Sequence, residues 1–195
     1  MGLTRTTAPT VEPITRAEAK AHSRVTVSDD DDYIDALIAV VRDRIEQHTR
    51  RALLTQTWQL TLDNWPTGRR DILLPWAPLQ SVSSITYVDT SGTTQTWSSS
   101  NYTVNTGATP GRVRLKYDEL YPSARFQPDA ITVTYVAGYG ATASTVPAGI
   151  VHACKILCGH YYDNREPVVT GTIASPIPET WKALLGPYRV LGAGT

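Results

Sequence analysis

The hydrophobic period of this chain changes twice, and that change narrows the folds open to it. In DDYIDALIAVVRDRIEQHT the residues Ile34, Leu37, Ile38, Val41 and Ile45 recur at i, i+3, i+4 and i+7, the stripe of an amphipathic helix. From Thr55 to about Gly138 the period is two. Trp58, Leu60 and Leu62 alternate with Thr57, Gln59 and Thr61, and DILLPW, SVSSITYVD, TTQTW, NYTVN, RVRLKY and ITVTYV follow as short segments rich in β-branched and aromatic residues. After Val146 helical spacing returns, with Ile150, Cys154, Leu157, Cys158 and Tyr161 on one face. The pattern predicts an α+β fold: a small bundle of about four helices from residues 15–54 and 146–187, carrying an inserted antiparallel β domain of about six strands at 55–145. The helices on either side of the β segment each have one apolar stripe, and packing those stripes together is the economical way to bury both.

Local signals set the boundaries. Residues 1–14 are Thr- and Pro-rich without periodicity and read as a flexible arm, and 188–195 read as an extended tail. Thr15 to Glu18 fits a capping box that starts a short helix running to about His22. Ser28 and Asp29 are placed to cap the long helix, its acidic run sits at the positive end of the helix dipole, and Arg50 and Arg51 stand at the other end. The same aspartates lack the alternating ligands and central glycine of a calcium loop. Asp89 to Gly92 reads as a hairpin turn, Ser98 to Asn101 and TGATPG as further turns, and Pro75 and Pro78 confine their stretch to a strand end or edge. Pro147 suits a first helical turn, Pro167 ends that helix, Val168 to Pro178 is a loop, and ETWKALL is a short last helix closed by Gly186 and Pro187.

Composition excludes several functions. The 18 Lys and Arg balance 18 Asp and Glu, which is not the cationic surplus of a protein built to grip nucleic acid. The N-terminus has no apolar run resembling a signal peptide, and no stretch approaches the roughly 18 apolar residues of a membrane span, so a soluble chain made in a reducing compartment is expected. Phosphate loops, nucleophile elbows and paired Cys-x-x-Cys motifs are missing from the sequence. His152, Cys154, Cys158 and His160 lie close in sequence, but on a helix His152 and Cys154 point about 200° apart and do not share a metal. Cys154 and Cys158 are expected as small core hydrophobes; no catalytic, cofactor or metal residues are assigned. The 10 Tyr and 5 Trp against a single Phe fit either half-buried strands or protein interfaces.

In order along the chain, PITRAEAKAHSRV, the acidic-capped helix leading into LTQTWQLTLDNWP, the ILLPWAPLQSVSSITYVDTSG hairpin, VTYVAGYGATASTVPAGI, the YYDNRE helix end and the closing PYRV resemble the head-to-tail connector, or adaptor, proteins of long-tailed double-stranded DNA bacteriophages and phage-like particles, gene transfer agents included. The resemblance spans nearly the whole chain. It implies no enzyme activity and no cofactor. It implies a structural subunit forming a ring, expected as a dodecamer, under the portal of a virion or phage-like particle assembled in the bacterial host cytoplasm. The ring would extend the DNA channel, join the portal to stopper or tail-terminator proteins, take part in DNA packaging, and let DNA pass without sequence-specific binding or membrane contact. Within that frame Tyr188, Arg189, Val190 and Leu191 are candidates for docking on the portal, by adding to a sheet edge or filling a groove. Arg42, Asp43, Arg44 and Glu46, taken as the polar side of the long helix, are candidates for pairing across subunits. Two other readings compete: a tail-completion or stopper protein of the same particle, and a small ligand-binding or enzyme module with a β pocket lined by Trp58, Trp65, Trp76 or Trp97.

Overall fold

A computed structural model describes residues 1–67, 71–165 and 179–190. Its secondary structure is α+β, with four α-helices and two antiparallel sheets among those residues. The chain divides into two units. One is built from Thr10–Leu54 and Gly140–Arg189 and holds the helices; the other is built from Met1–Pro9 and Thr55–Tyr139 and holds the strands.

The helical unit comprises α1 (Arg16–Ser23), α2 (Asp31–Thr49), α3 (Ala148–Asp163) and α4 (Thr180–Leu185). The capping box forms as its sequence implies: Glu18 N donates to Thr15 Oγ1 at 3.2 Å, and Thr15 N donates to the Glu18 carboxylate at 2.9 Å. α3 is the central element, touching α1, α2 and α4. Ile34, Ile38, Val41 and Ile45 of α2 are buried, as are Ile150, Cys154, Leu157 and Cys158 of α3 and Trp181 and Leu185 of α4. Each helix therefore buries one stripe, and hydrophobic burial rather than helix propensity holds the unit.

In the β unit all seven strand segments foreseen from the period of two are strands: β2 (Gln56–Leu62), β3 (Ile72–Leu74), β4 (Leu79–Val88), β5 (Thr94–Thr96), β6 (Tyr102–Asn105), β7 (Gly111–Leu115) and β8 (Ile131–Ala137). An eighth was not foreseen. Gly2–Thr7, read as part of a flexible arm, is strand β1, paired antiparallel with β2 from Gly2 opposite Thr61 to Thr7 opposite Thr57. β1 has no alternating apolar face to reveal it, because backbone pairing with the otherwise open edge of β2 holds it rather than side-chain burial.

The larger sheet has the order β1-β2-β8-β4-β5 and the smaller one β3-β7-β6. β8 lies at the centre of the larger sheet, and its Ile131, Val133, Tyr135 and Ala137 are completely buried. β7 approaches β4 closely at Gly111, where an added Cβ would stand 2.4 Å from the Leu79 Cβ; the position has room only for glycine. Pro75 and Pro78 fall in the turn between β3 and β4, outside the pairing. The Asp89 turn is closed by its own carboxylate, which accepts from Ser91 N and Thr93 N, each at 2.9 Å, while Gly92 takes φ 90.

Candidate assembly surfaces

The acidic start of α2 does something other than capping. The N-cap residue is Asp30 rather than Ser28 or Asp29, and its side chain makes no cap hydrogen bond. The Asp30 carboxylate instead accepts from the Tyr162 hydroxyl at 2.6 Å and from Arg165 Nη2 at 2.8 Å, at the far end of α3. The Arg165 guanidinium lies 4.5 Å from the Tyr33 ring centre and 4.9 Å from that of Tyr162, a cation–π arrangement on both rings. On the other side Asp31 accepts from Lys20 Nζ at 2.5 Å and from Arg16 Nη1 at 3.1 Å, and Arg16 also pairs with Asp35. The acidic run thus clasps α2 to both α1 and α3. Hydrogen bonds from Tyr162 and then Arg165 hold the Asp30 carboxyl below the usual carboxylate range, as Lys20 does for Asp31 and Arg16 for Asp35. Glu18, bonded by the Thr15 backbone N–H and by Lys155, is lowered to about 2.

The four residues of α2 taken as a polar side do not share one. Arg42 and Glu46 are buried, Asp43 is half-buried and Arg44 is exposed. Arg42 Nη1 bonds the Glu12 carboxylate at 2.5 Å, and Arg42 Nη2 meets Asp43 at 3.3 Å. Glu46 Oε1 accepts from Leu53 N at 2.8 Å, closing the reversal where Arg50 takes φ 57 after the helix. Arg42 and Glu46 thus bond groups of their own unit. The partners, Glu12 and the Leu53 amide, lie 30 and 7 residues away, so helix periodicity gave no sign of them. Arg44 is left as the outward-facing member of the set.

In the tail segment Tyr188 is anchored: its carbonyl accepts from Arg51 Nε at 2.5 Å and its ring lies against Gly149. Arg189 is exposed and Val190 half-exposed; Leu191 lies outside the described residues, as does the Val168 to Pro178 loop.

The tryptophans of the β unit pack on other rings. Trp65 stacks on Tyr121 at 4.8 Å and meets Trp97 at 5.1 Å; Trp97 in turn packs on Tyr102 at 4.8 Å. Trp58 and Trp76 stack on each other at 4.7 Å. These mutual ring contacts account for the grouping of tryptophans in the β unit as packing.

Cys154 and Cys158 sit in the core, and burial pushes both thiols up, Cys158 to about 11. They are poor nucleophiles there. Among the described residues no group of three His, Cys, Asp or Glu is arranged to hold a metal ion, and no helix is long and apolar enough to cross a membrane. A groove of about 610 Å³ in the helical unit is lined by Val11, Ile14, Ile38 and the charged Glu12, Arg16 and Asp35 among others; Arg16 pairs with Asp35, and Glu12 with Arg42. The feature that sequence reading overlooked is in the β unit. Tyr117, Leu120 and Phe126, between β7 and β8, are 88, 75 and 86% exposed. The available signal was the placement of the chain's single Phe in a Pro-bearing stretch with no alternation.

Comparison with known proteins gives a consistent result. A family model described as head completion protein matches residues 12–191. No curated protein matches the chain. In fold the chain is similar to a chain in the neck of an empty gene transfer agent particle computed with C6 symmetry, at TM-score 0.78 and 22% identity, covering 100% of this chain and 98% of that one. It is similar also to a chain of the virion of a native gene transfer agent particle, at TM-score 0.76 and 23% identity with the same coverage. A third, in the neck of the native particle computed with C12 symmetry, gives 0.67 at 22% identity, again over 100% and 98% of the two chains.

Proposed function

This chain belongs to the head completion protein family, and from that premise we propose that it is the adaptor subunit of a particle neck, closing into a ring beneath the portal. It is a structural, non-enzymatic protein with a head–tail neck role in a phage-like particle. The finer reading is that a ring of copies, twelve in the assembled neck, extends the DNA channel from the portal and offers its opposite side to stopper or tail-terminator proteins. DNA passes through it without sequence-specific contact, and assembly takes place in the cytoplasm of the bacterial host.

The observation that carries this reading is the similarity, over all of this chain, to neck chains of particles computed with C6 and C12 symmetry. A ring subunit needs two different faces that meet head to tail, and a neutral chain with many Tyr and Trp suits protein contact better than phosphate contact. Portal docking is assigned to the tail from Arg189 through Val190 to Leu191, with Tyr188 as its anchor on the helical unit.

Particles made without the protein test the reading. Expected are filled heads that carry the portal and no tail, while the purified protein added back restores tail joining. Truncation after Arg189, which keeps the Tyr188 anchor, should abolish binding to portal-bearing heads; undiminished binding would remove the tail from the docking surface. The stopper reading predicts instead that the protein binds heads only after another neck protein is in place, so direct capture by isolated portal separates the two.

A further inference from the structure

Positive charge gathers at the end of the helical unit where α2 meets α4. Arg44 and His48 stand one turn apart on α2, Arg51 follows its C-cap, Lys182 lies on α4 and Arg189 follows Tyr188. Contacts tie these groups to one surface. The His48 and Trp181 rings meet at 5.0 Å, Lys182 Nζ lies 5.8 Å from the Trp181 ring centre, and Arg51 Nε donates to the Tyr188 carbonyl at 2.5 Å. Burial, and then the positive charges of Arg189, Lys182 and Arg44, hold the His48 imidazole below its usual pKa, so all three cations are near enough to act on one ring.

The carboxylates of the same elements do not cancel this charge. Asp43 meets Arg42 at 3.3 Å, Glu46 accepts from the Leu53 amide at 2.8 Å, and Glu179 pairs with Lys182 at 2.8 Å. Arg44 and Arg189 are exposed and have no ion pair among the described residues. In a chain whose 18 basic and 18 acidic residues balance, such a local excess marks a face that steers and orients an anionic partner. A phosphate backbone is gripped by a longer cationic stripe with interleaved aromatics. A few cations around one helix end match a short acidic protein segment instead. Arg189 also opens the tail segment assigned to portal docking, so the face and that segment are continuous along the chain.

We propose that the face formed by Arg44, Arg51, Lys182 and Arg189 seats an acidic segment of the portal protein, beside the tail that docks there. Arg44 and Arg189 give the contact direction, because the planar guanidinium takes a carboxylate on two bonds, and Lys182 adds a point charge. Arg51, with Nε on the Tyr188 carbonyl, contributes charge and holds the start of the tail against the face. The proposal names the chemistry of the partner in the portal docking above and rests on that reading.

The test measures binding of the full-length protein to isolated portal over a range of salt. The natural chain is expected to bind more weakly as salt rises. Arg44→Glu combined with Lys182→Gln, both at exposed positions, should bind about tenfold more weakly at low salt with an unchanged unfolding temperature. Arg44→Lys, which keeps the charge, should recover most of the binding lost in Arg44→Glu alone. Because the tail is intact in all these variants, their effects are separate from those of truncation after Arg189. A double variant that binds portal as the natural chain does would overturn the acidic-segment proposal and leave portal docking standing. A natural chain that does not bind portal would overturn the docking reading itself. Gel-shift of duplex DNA by the natural chain, lost in a double variant that still binds portal, would assign the face to DNA and also overturn the proposal.

Discussion

Both units of this protein bury an apolar core, and they differ in the contacts that join their elements beside it. In the helical unit the elements are joined by charged groups at their margins: Asp30 to Tyr162 and Arg165, Asp31 to Lys20 and Arg16, Glu18 to Lys155, and Glu46 to the Leu53 amide. The β unit relies on rings. Trp65, Trp97, Tyr102 and Tyr121 form one cluster and Trp58 and Trp76 another; two of its carboxylates also bridge, Asp71 to Arg112 and Arg114 and Asp63 to the Asp129 amide, while Asp89 serves its own turn. The difference teaches where each unit is vulnerable. Packing energy is insensitive to pH and salt but suffers from cavities, whereas bridging carboxylates respond to protonation and to loss of a partner.

The largest expected effect tests the ring cluster. Trp97→Ala should destabilise the β unit by about 3–5 kcal/mol, as for a buried tryptophan truncated in a packed core, read from urea unfolding followed by near-UV circular dichroism. A cost under about 1 kcal/mol would mean that the cluster closes up without it. Next comes Glu46→Ala, which strips the Leu53 amide of its acceptor and should cost about 1–3 kcal/mol in the helical unit. Glu46→Gln keeps an acceptor oxygen and should recover most of that loss. If both variants unfold alike, the hydrogen bond is not what Glu46 contributes. Gly111→Ala should cost about 1–3 kcal/mol through overpacking against Leu79, read from the same urea unfolding; an unchanged midpoint would mean that β4 shifts to make room.

The smallest effect is acid sensitivity. Glu18, lowered to about 2, and Asp30, Asp31 and Asp35, also lowered, have folded pKa values below their unfolded ones. Their stabilisation is complete above the ordinary carboxylate range near ~4 and is lost as pH falls through the folded values toward 2. The β unit carries lowered carboxyls as well, Asp63, Asp71 and Asp89, the last to about 2, so far-UV circular dichroism and tryptophan fluorescence should decline over the same acid range. Loss of one signal at clearly higher pH than the other would show that the carboxylates of one unit dominate its stability.

Much of the fold was legible because burial imposes a period. The stripe of α2, the seven alternating strand segments, the Thr15–Glu18 box and the Asp89 turn all depend on residues within a few positions of one another, and each formed as its spacing implied. What was misread depended on distant partners. β1 looked like an arm because its pairing with β2 lies in the backbone and across more than 50 residues. Asp30 gave no sign of its role because its partners, Tyr162 and Arg165, are more than 130 residues away. Arg42 and Glu46 looked solvent-facing because a buried charge is tolerated only where a partner is supplied, and Glu12 and the Leu53 amide supply it.

The candidate surfaces divide in the same way. The Tyr and Trp surplus signalled contact surfaces or half-buried strands without separating them. In the structure the tryptophans of the β unit turn mostly inward, while Tyr117, Leu120 and Phe126 turn outward on a pinned loop. By itself the sequence determined the main helices, every strand but β1, the α+β class and the resemblance to neck proteins, since periodicity and local motif order are written in neighbouring residues. Only the tertiary structure decided which charges clasp helices, which rings fill the core and which apolar groups face out, because each of these depends on what the folded chain brings beside them.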